Sequence, residues 1–290
     1  MRLDHLLSME TMLCSVEETA ADLEKKGFEI VRVSPREDGR FYAADFVNAC
    51  GEDTCLISMM YVNNETGYIL PVKETFSAVK RRYPHIITHT DCVQAYMKLP
   101  VKASALCADL ISLSGHKIHG GKGTGALYIK KGVRVLPVIT GGKQEKGIRS
   151  GTESVPMIAA FGAAVKKLVP TITERYEKVG GLKKYLLDKL SGIEGVVVNS
   201  PEDGSPYVVN ISAVGKRSEI MLHFLESREI YVSSGSACSK GQQSGVLEQF
   251  GIRDKRADSA LRISMTAETT EAELDVFCEA LREGMEKIRG

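Results

Sequence analysis

The chain has 290 residues, of which 43% are hydrophobic, so it is long and apolar enough for two domains with packed cores. Its net charge of +1 gives no reason to expect nucleic acid or an anionic membrane as a partner. No apolar run of bilayer length and no signal-peptide core stands out, and seven scattered cysteines without CxxC spacing are typical of free thiols in the cytoplasm.

The first half of the chain alternates apolar runs with amphipathic stretches. Strands are predicted at residues 5–9, 28–33, 54–60, 86–90, 109–114 and 126–129. Helices are predicted between them at 16–26, 43–50 and 72–82. Such alternation indicates βαβ units. The expected fold class is therefore α/β, with a mainly parallel sheet flanked by helices.

After residue 131 the pattern changes. A polar loop at 148–152 precedes two predicted helices, and short strands and helices then follow one another as in an α+β unit. These later elements are predicted at 154–168, 171–190, 196–199, 207–211, 219–226, 261–264 and 270–288. We predict a large domain over residues 1–170, incomplete at its N-terminus, and a smaller α+β domain over residues 171–290. The smaller domain carries the loop Ser233–Gly245, which contains Cys238.

Three polar residues, Asn64, Asp91 and Lys117, each follow closely on a predicted strand. Because ligands bind at the carboxyl ends of parallel strands, we expect all three side chains at one crevice. A lysine buried at a strand end has a lowered pKa and becomes nucleophilic. Taken alone, Lys117 is equally well explained as a turn or phosphate-binding lysine. For Asp91 taken alone, a turn or helix cap is the less favoured explanation.

A strand-end aspartate followed by a strand-end lysine is what a pyridoxal 5′-phosphate site requires. The carboxylate keeps the pyridine nitrogen protonated and the lysine holds the aldehyde. Gln94 is placed to donate to the ring oxygen, and Ser114 and His116 are placed to bind the phosphate. Without its context, Gln94 is better explained as a surface residue and His116 as a structural one.

Six motifs, in their order and spacing, carry a resemblance to a known family. The chain resembles the cysteine desulfurases of the NifS/IscS type, in the class V aminotransferase superfamily of fold-type I pyridoxal phosphate enzymes. The motifs are Val62–Gly67, Asp91–Gln94, Ser114–Lys117, Arg149–Thr152, Ser233–Cys238 and Ala260–Ser264. The resemblance implies a fold-type I large domain and a reaction that converts L-cysteine to L-alanine and an enzyme persulfide.

The same resemblance assigns the cofactor-binding residues. It implies that Lys117 forms the Schiff base with pyridoxal 5′-phosphate and shuttles protons, and that Asp91 pairs with the pyridine nitrogen. The other implied cofactor-binding residues are Asn64, Gln94, Ser114, His116 and Thr152. Thr152 would reach the phosphate of a partner subunit, so the resemblance also implies a homodimer.

Substrate binding and sulfur transfer are assigned in the same way. Asn64 and Arg262 would hold the carboxylate of L-cysteine, which a guanidinium matches as a bidentate partner. Cys238 would be the nucleophile, because a loop of Gly and Ser around it has little to pack and suits a moving thiol. The other six cysteines lie in apolar or helical runs and are expected to be structural.

Two departures from the family keep alternatives open. The chain lacks the family's N-terminal part, and Leu13 stands where the family has a histidine that stacks on the pyridine ring. One alternative is therefore a catalytically impaired homologue that acts as partner or scaffold of a full-length desulfurase. Another is a related selenocysteine or cystine lyase. Iron–sulfur cluster assembly and tRNA thiolation both remain open as the destination of the sulfur.

Overall fold

The computed structural model describes residues 5–9, 14–234 and 245–288. Leu13 and Cys238 lie outside the described residues, and their roles stay predictions. The described chain forms a six-stranded sheet and a four-stranded sheet, each covered by helices. This is the mixed, mostly parallel α/β architecture that the sequence predicts.

The large sheet has the strand order β2-β1-β3-β4-β5-β6. All neighbouring strands in it are parallel except β5 and β6, which form an antiparallel pair at the edge. The strands are β1 (His5–Met9), β2 (Glu29–Val33), β3 (Thr54–Met60), β4 (Ile87–Asp91), β5 (Leu110–Ser114) and β6 (Gly125–Ile129). The carboxyl ends of β3, β4 and β5 therefore open onto the same edge, where a parallel sheet binds its ligand.

Five helices belong to the first half of the chain and the segment after it. They are α1 (Cys14–Lys25), α2 (Ala43–Ala49), α3 (Val72–Arg82), α4 (Ala103–Leu106) and α5 (Val155–Leu168). In α3 the buried residues Val72, Thr75, Phe76 and Val79 recur at the spacing of one helix face. Phe76 has no exposed surface, and a side chain buried to this degree contributes about 1.5–3 kcal/mol to folding.

The small sheet has the order β7-β8-β10-β9 and is antiparallel throughout. Its strands are β7 (Val196–Val198), β8 (Val208–Ala213), β9 (Ser233–Ser234) and β10 (Ala260–Ser264). The helices are α6 (Ile172–Leu190), α7 (Ser218–Glu226), α8 (Gly245–Gln249), α9 (Asp254–Asp258) and α10 (Glu271–Lys287). Helix α10 begins with a capping box between Thr270 and Glu273. The domain boundary near residue 170 stays a prediction.

The helical stretch Val155–Leu190, in which α5 and α6 are joined by a short 3₁₀ turn, differs from expectation in one respect. By length and composition it could cross a membrane, whereas the apolar runs of the sequence predict no membrane-spanning segment. One helix of this kind is weak evidence for a membrane. Phe161 and Leu168 of α5 pack instead with Ile118, which follows β5.

The turn Asn63–Gly67, which follows β3, joins the two sheets. Inside the turn, the Asn63 side-chain oxygen accepts hydrogen bonds from the backbone N–H groups of residues 65 and 66, both at 2.9 Å. Gly67 has a φ of +73°, and a Cβ there would lie 2.7 Å from the carbonyl oxygen of Val208, so only glycine fits. Three hydrogen bonds cross from the small-sheet side to the turn: Asn210 Nδ2 to Glu65 O at 3.2 Å, Ser200 Oγ to Thr66 O at 2.6 Å and Ser205 N to Gly67 O at 2.7 Å.

Candidate active site

A cavity of about 190 Å³ is lined by residues of both sheets. Four of the side chains that the sequence singles out line it: Asn64, Gln94, Lys117 and Arg262. The first three come from segments that follow β3, β4 and β5, and Arg262 lies on β10 of the small sheet. Of the three strand-end residues predicted to share a crevice, Asn64 and Lys117 therefore line this cavity and Asp91 does not.

Lys117 lies three residues beyond the end of β5, in the 3₁₀ helix Gly115–Ile118. Its side chain is half-buried, and burial followed by the charge of Arg262 lowers the pKa of its ammonium group. A lowered pKa increases the fraction of Lys117 that is a neutral, nucleophilic amine at a given pH. Such an amine is able to condense with an aldehyde.

Asp91 lies at the carboxyl end of β4 and is only 8% exposed, so it does not form part of the cavity wall. Its carboxylate accepts a hydrogen bond from the backbone N–H of Val93 at 2.8 Å. Among the described residues no cation forms an ion pair with it, and burial raises its pKa. A buried carboxylate without a cationic partner fits a protonated pyridine nitrogen, which supplies the missing positive charge.

The residues predicted to bind phosphate lie outside the cavity wall. Ser114 Oγ and His116 Nδ1 are 2.6 Å apart, so the structure does bring these two together at the end of β5. Thr152 lies in an exposed loop before α5, and among the described residues no hydrogen bond joins it to Ser114 or His116. Its implied role requires a second subunit and is untouched by these distances.

Arg262 joins the two sheets at the cavity. Its Nη1 donates to the backbone oxygen of Asn64 at 3.1 Å, and its Nη2 donates to Ser233 Oγ at 3.2 Å. Its Nε is buried and has no hydrogen-bond partner among the residues that the structure describes. An unpaired donor beside Nη2 fits a carboxylate, which a guanidinium binds through two parallel hydrogen bonds.

The sequence carries no functional motif at several other cavity residues, among them Met97, Lys98, His119, Arg175 and Tyr207. Met97 and His119 have φ values of 58° and 62°, a left-handed conformation that is strained for residues other than glycine and is often found at functional sites. Lys98 lies four residues after Gln94, and that spacing is the only signal in the sequence that could have found it.

A buried polar row crosses the sheet beneath the site. His89 of β4 contacts Ser58 Oγ through Nδ1 at 2.7 Å and Ser112 Oγ through Nε2 at 2.9 Å. Burial lowers the pKa of His89 to about 4, so the ring is neutral at pH 7. His89 and Asp91 are two residues apart on one strand and share a face, so the row fixes the strand that carries Asp91.

The described cysteines behave as structural residues where they are buried. Burial raises the pKa of Cys50 and of Cys278 to about 11, and that of Cys92 to about 12. Since the thiolate is the nucleophile, these three thiols are unreactive at neutral pH. The expectation that they are core residues agrees with their burial.

Comparison with known proteins places this site in a family. The aminotransferase class-V model matches residues 4–277. The chain is 36% identical over 284 residues to a NifS/IcsS protein homolog of Lactobacillus delbrueckii subsp. bulgaricus, covering 96% of this chain and 74% of that protein. It is equally 36% identical to cysteine desulfurase IscS of Clostridium botulinum, covering 96% of this chain and 71% of the relative.

A solved structure agrees with both. The structure of a NifS-like protein superimposes with a TM-score of 0.92 at 32% identity, covering 99% of this chain and 76% of the other. The fold is thus matched along almost the whole chain. The chain belongs to the class-V aminotransferases and, within them, to the pyridoxal phosphate-dependent cysteine desulfurases of the NifS/IscS type.

Proposed function

We propose that this protein converts L-cysteine to L-alanine and transfers the sulfur to its own Cys238. The observation that carries the proposal is the shared cavity of Lys117, Gln94, Asn64 and Arg262, in which the buried Nε of Arg262 has no partner among the described residues. An amine, an amide and an unsatisfied guanidinium in one cavity match an α-amino acid held beside pyridoxal phosphate.

The cofactor, when bound, supplies an aldehyde for the amine and a ring that withdraws electrons from the carbon next to it. Lys117 would hold the cofactor through its amine and would move a proton at Cα of the substrate. Asp91 would keep the ring nitrogen protonated, and Gln94 would donate to the ring hydroxyl. Arg262 and Asn64 fix the substrate carboxylate, which orients Cα toward Lys117.

Sulfur transfer requires a thiolate from the protein. Cys238, as thiolate, attacks the sulfur of the bound cysteine, so that a new S–S bond forms while the Cβ–S bond breaks. The electron pair of the Cβ–S bond stays on the carbon skeleton, which takes up protons and leaves as L-alanine. The products balance as one alanine and one persulfide for each cysteine consumed.

The two other readings have weaker support. A scaffold without activity would have no use for a half-buried lysine and an unsatisfied guanidinium in one cavity. The similar relatives named above are a NifS homolog and a cysteine desulfurase, which favours the enzyme over the scaffold. A selenocysteine or cystine lyase shares the same carboxylate and cofactor residues, and its rate with each substrate tests that alternative.

A homodimer forms part of the proposal. Thr152 lies in an exposed loop, and the segments on either side of it expose Leu136 by 86%, Val138 by 97% and Val155 by 68%. Exposed apolar residues near one another in sequence mark candidate interaction surfaces. A second subunit seated there would bring Thr152 to its phosphate, and sedimentation or light scattering measures the resulting mass.

We also propose a destination for the sulfur and a cellular compartment for the enzyme. The persulfide is suited to delivery to iron–sulfur cluster assembly or to tRNA thiolation. We place the enzyme in the cytoplasm because the spacing of its seven cysteines does not form the framework that a disulfide-bonded secreted protein carries.

The experiment that tests the function combines two measurements on the cofactor-loaded protein. Borohydride reduction and peptide mapping should place the pyridoxyl group on Lys117, and sulfide and alanine should appear in equal amounts from L-cysteine in the presence of a thiol reductant. Cys238→Ser should abolish sulfide release and preserve the visible absorption of the bound cofactor. A label on another lysine, or undiminished sulfide release by the Cys238→Ser variant, would contradict the proposal.

A further inference from the structure

Lys98 is a second lysine in the wall of the substrate cavity. Its Nζ donates to Gln94 Oε1 at 3.4 Å and lies 5.5 Å from the centre of the Tyr207 ring. Both contacts are with neutral groups, and no ion pair to Lys98 occurs among the described residues. A largely buried ammonium with only neutral neighbours calls for an anion in the space that it faces.

The charges of the other cationic side chains in the cavity indicate which kind of anion binds there. Arg175 is already neutralised by Glu268 at 2.8 Å. Arg262 contacts only neutral acceptors, and its charge lies close enough to Lys98 to disfavour the protonated form of Lys98. The described lining contains no Asp or Glu. Lys98, Lys117 and Arg262 therefore face one cavity without a counter-charge in its described lining. Since the proposed function assigns Lys117 to the cofactor aldehyde, Lys98 and Arg262 remain, which suits a carboxylate bound by both.

We propose that Lys98 is a substrate-binding residue whose ammonium group, together with the guanidinium of Arg262, holds the α-carboxylate of the amino acid. The aromatic ring of Tyr207 covers the ammonium and keeps it directed into the cavity. Lys98 also fixes the amide of Gln94, because an ammonium can donate only to the amide oxygen, so the NH₂ group turns toward the cofactor side.

The inference rests on the proposed function, because the carboxylate in question belongs to the bound amino acid. A purely structural alternative is that Lys98 only positions the side chain of Gln94 and does not contact the substrate. In that case its loss would weaken the binding of the cofactor and leave carboxylate recognition intact. Ligands that differ only in the carboxylate separate the two.

The probe is 3-mercaptopropionate, which carries the thiol and carboxylate of cysteine and lacks the amine, compared with 3-mercapto-1-propanol, in which a hydroxyl replaces the carboxylate. Their dissociation constants are measured by titration calorimetry on the cofactor-loaded wild type, Lys98→Met and Lys98→Arg. Lys98→Met should weaken 3-mercaptopropionate by roughly 10- to 100-fold, the range of one charge-assisted hydrogen bond, and leave the alcohol unchanged. Lys98→Arg should retain most of the affinity. Lys102→Met, an exposed lysine outside the cavity, is the matched control.

Equal weakening of both ligands, or a loss confined to cofactor affinity, would overturn the proposal. Lys98→Gln replaces Lys98→Met if the latter does not fold, which circular dichroism shows. As an independent arm, the wild type should lose affinity for 3-mercaptopropionate above about pH 8, where burial, Lys117 and Arg262 place the pKa of Lys98. The Lys98→Arg variant, with Lys117, Arg175, Arg262 and Tyr207 unchanged, should not. Failure of the wild type to bind the probe or to release sulfide would instead count against the proposed function.

Discussion

The buried carboxylate of Asp109, directly before β5, is expected to stabilise the sheet behind the site through its ion pairs with two lysines. Its side chain is 3% exposed and pairs with Lys80, which is 21% exposed, and with Lys130, which is 55% exposed, at 3.0 Å. Thr88 of β4 also donates to it, through N at 3.1 Å and Oγ1 at 3.2 Å. Lys80→Met leaves a buried carboxylate short of charge and should cost about 3 kcal/mol, at the low end for a buried pair because Lys130 remains. Lys130→Met should cost less than about 1 kcal/mol, because water already screens that contact.

Urea unfolding followed by circular dichroism at pH 7 measures both values. Burial alone would raise the pKa of Asp109, but the donors from Lys80, Thr88 and Lys130 outweigh burial and lower the pKa below 3.8. The stability that this carboxylate adds is therefore present above pH 3.8 and is lost as the pH falls through the lowered pKa. The stability difference between the wild type and Asp109→Asn should shrink in that acid range. Equal costs for Lys80→Met and Lys130→Met, or a difference independent of pH, would refute the reasoning.

Three other substitutions have outcomes of stated sign. Without cofactor, the wild type should lose stability as the pH rises through the raised pKa of Asp91, because folding favours its protonated form, and Asp91→Asn should abolish this slope in thermal denaturation. Lys183 donates to three carbonyls of residues 201–204 at 2.9–3.1 Å, so Lys183→Met should cost about 2–4 kcal/mol in urea unfolding, whereas exposed Lys184→Met should change little. Lys98→Met should stabilise the cofactor-free protein by about 1–3 kcal/mol at pH 7, since a pKa lowered from 10.5 to about 8 measures the cost of a buried charge; a loss of stability would contradict that account.

Hydrophobic periodicity was sufficient for most of the fold. The bounds of β3 and α3 agree with their predictions, and each of the other predicted strands and helices forms within two residues of its predicted ends. What periodicity could not supply were the four- and five-residue helices, such as Ala103–Leu106, and the two-residue strand β9, because such elements are shorter than the period that would reveal them. The antiparallel direction of β6 depends on the length of the turn before it and on pairing with β5, neither of which is a property of one segment.

The site was predicted in part, for a reason that can be traced to individual residues. Asn64 and Lys117 follow strands, and parallel topology alone brings strand ends together. Arg262 required the resemblance, because a lone arginine on a short strand carries no signal. Lys98 and Tyr207 were missed because their role depends on packing between segments more than a hundred residues apart. The roles of all the predicted site residues stay predictions, those of Thr152 and Cys238 included.

The turn Asn63–Gly67 has a consequence for the timing of the reaction. Arg262 is tied to the peptide oxygen of Asn64, and the neighbouring residues of the turn are tied to the small-sheet side by three more hydrogen bonds. A hinge motion that separates the two sheets would break these hydrogen bonds. The same motion would withdraw Arg262 from the substrate carboxylate that it is proposed to bind. Release of the product and separation of the two sheets would then be a single event, because the guanidinium of Arg262 can leave the carboxylate only when the turn parts from the small sheet.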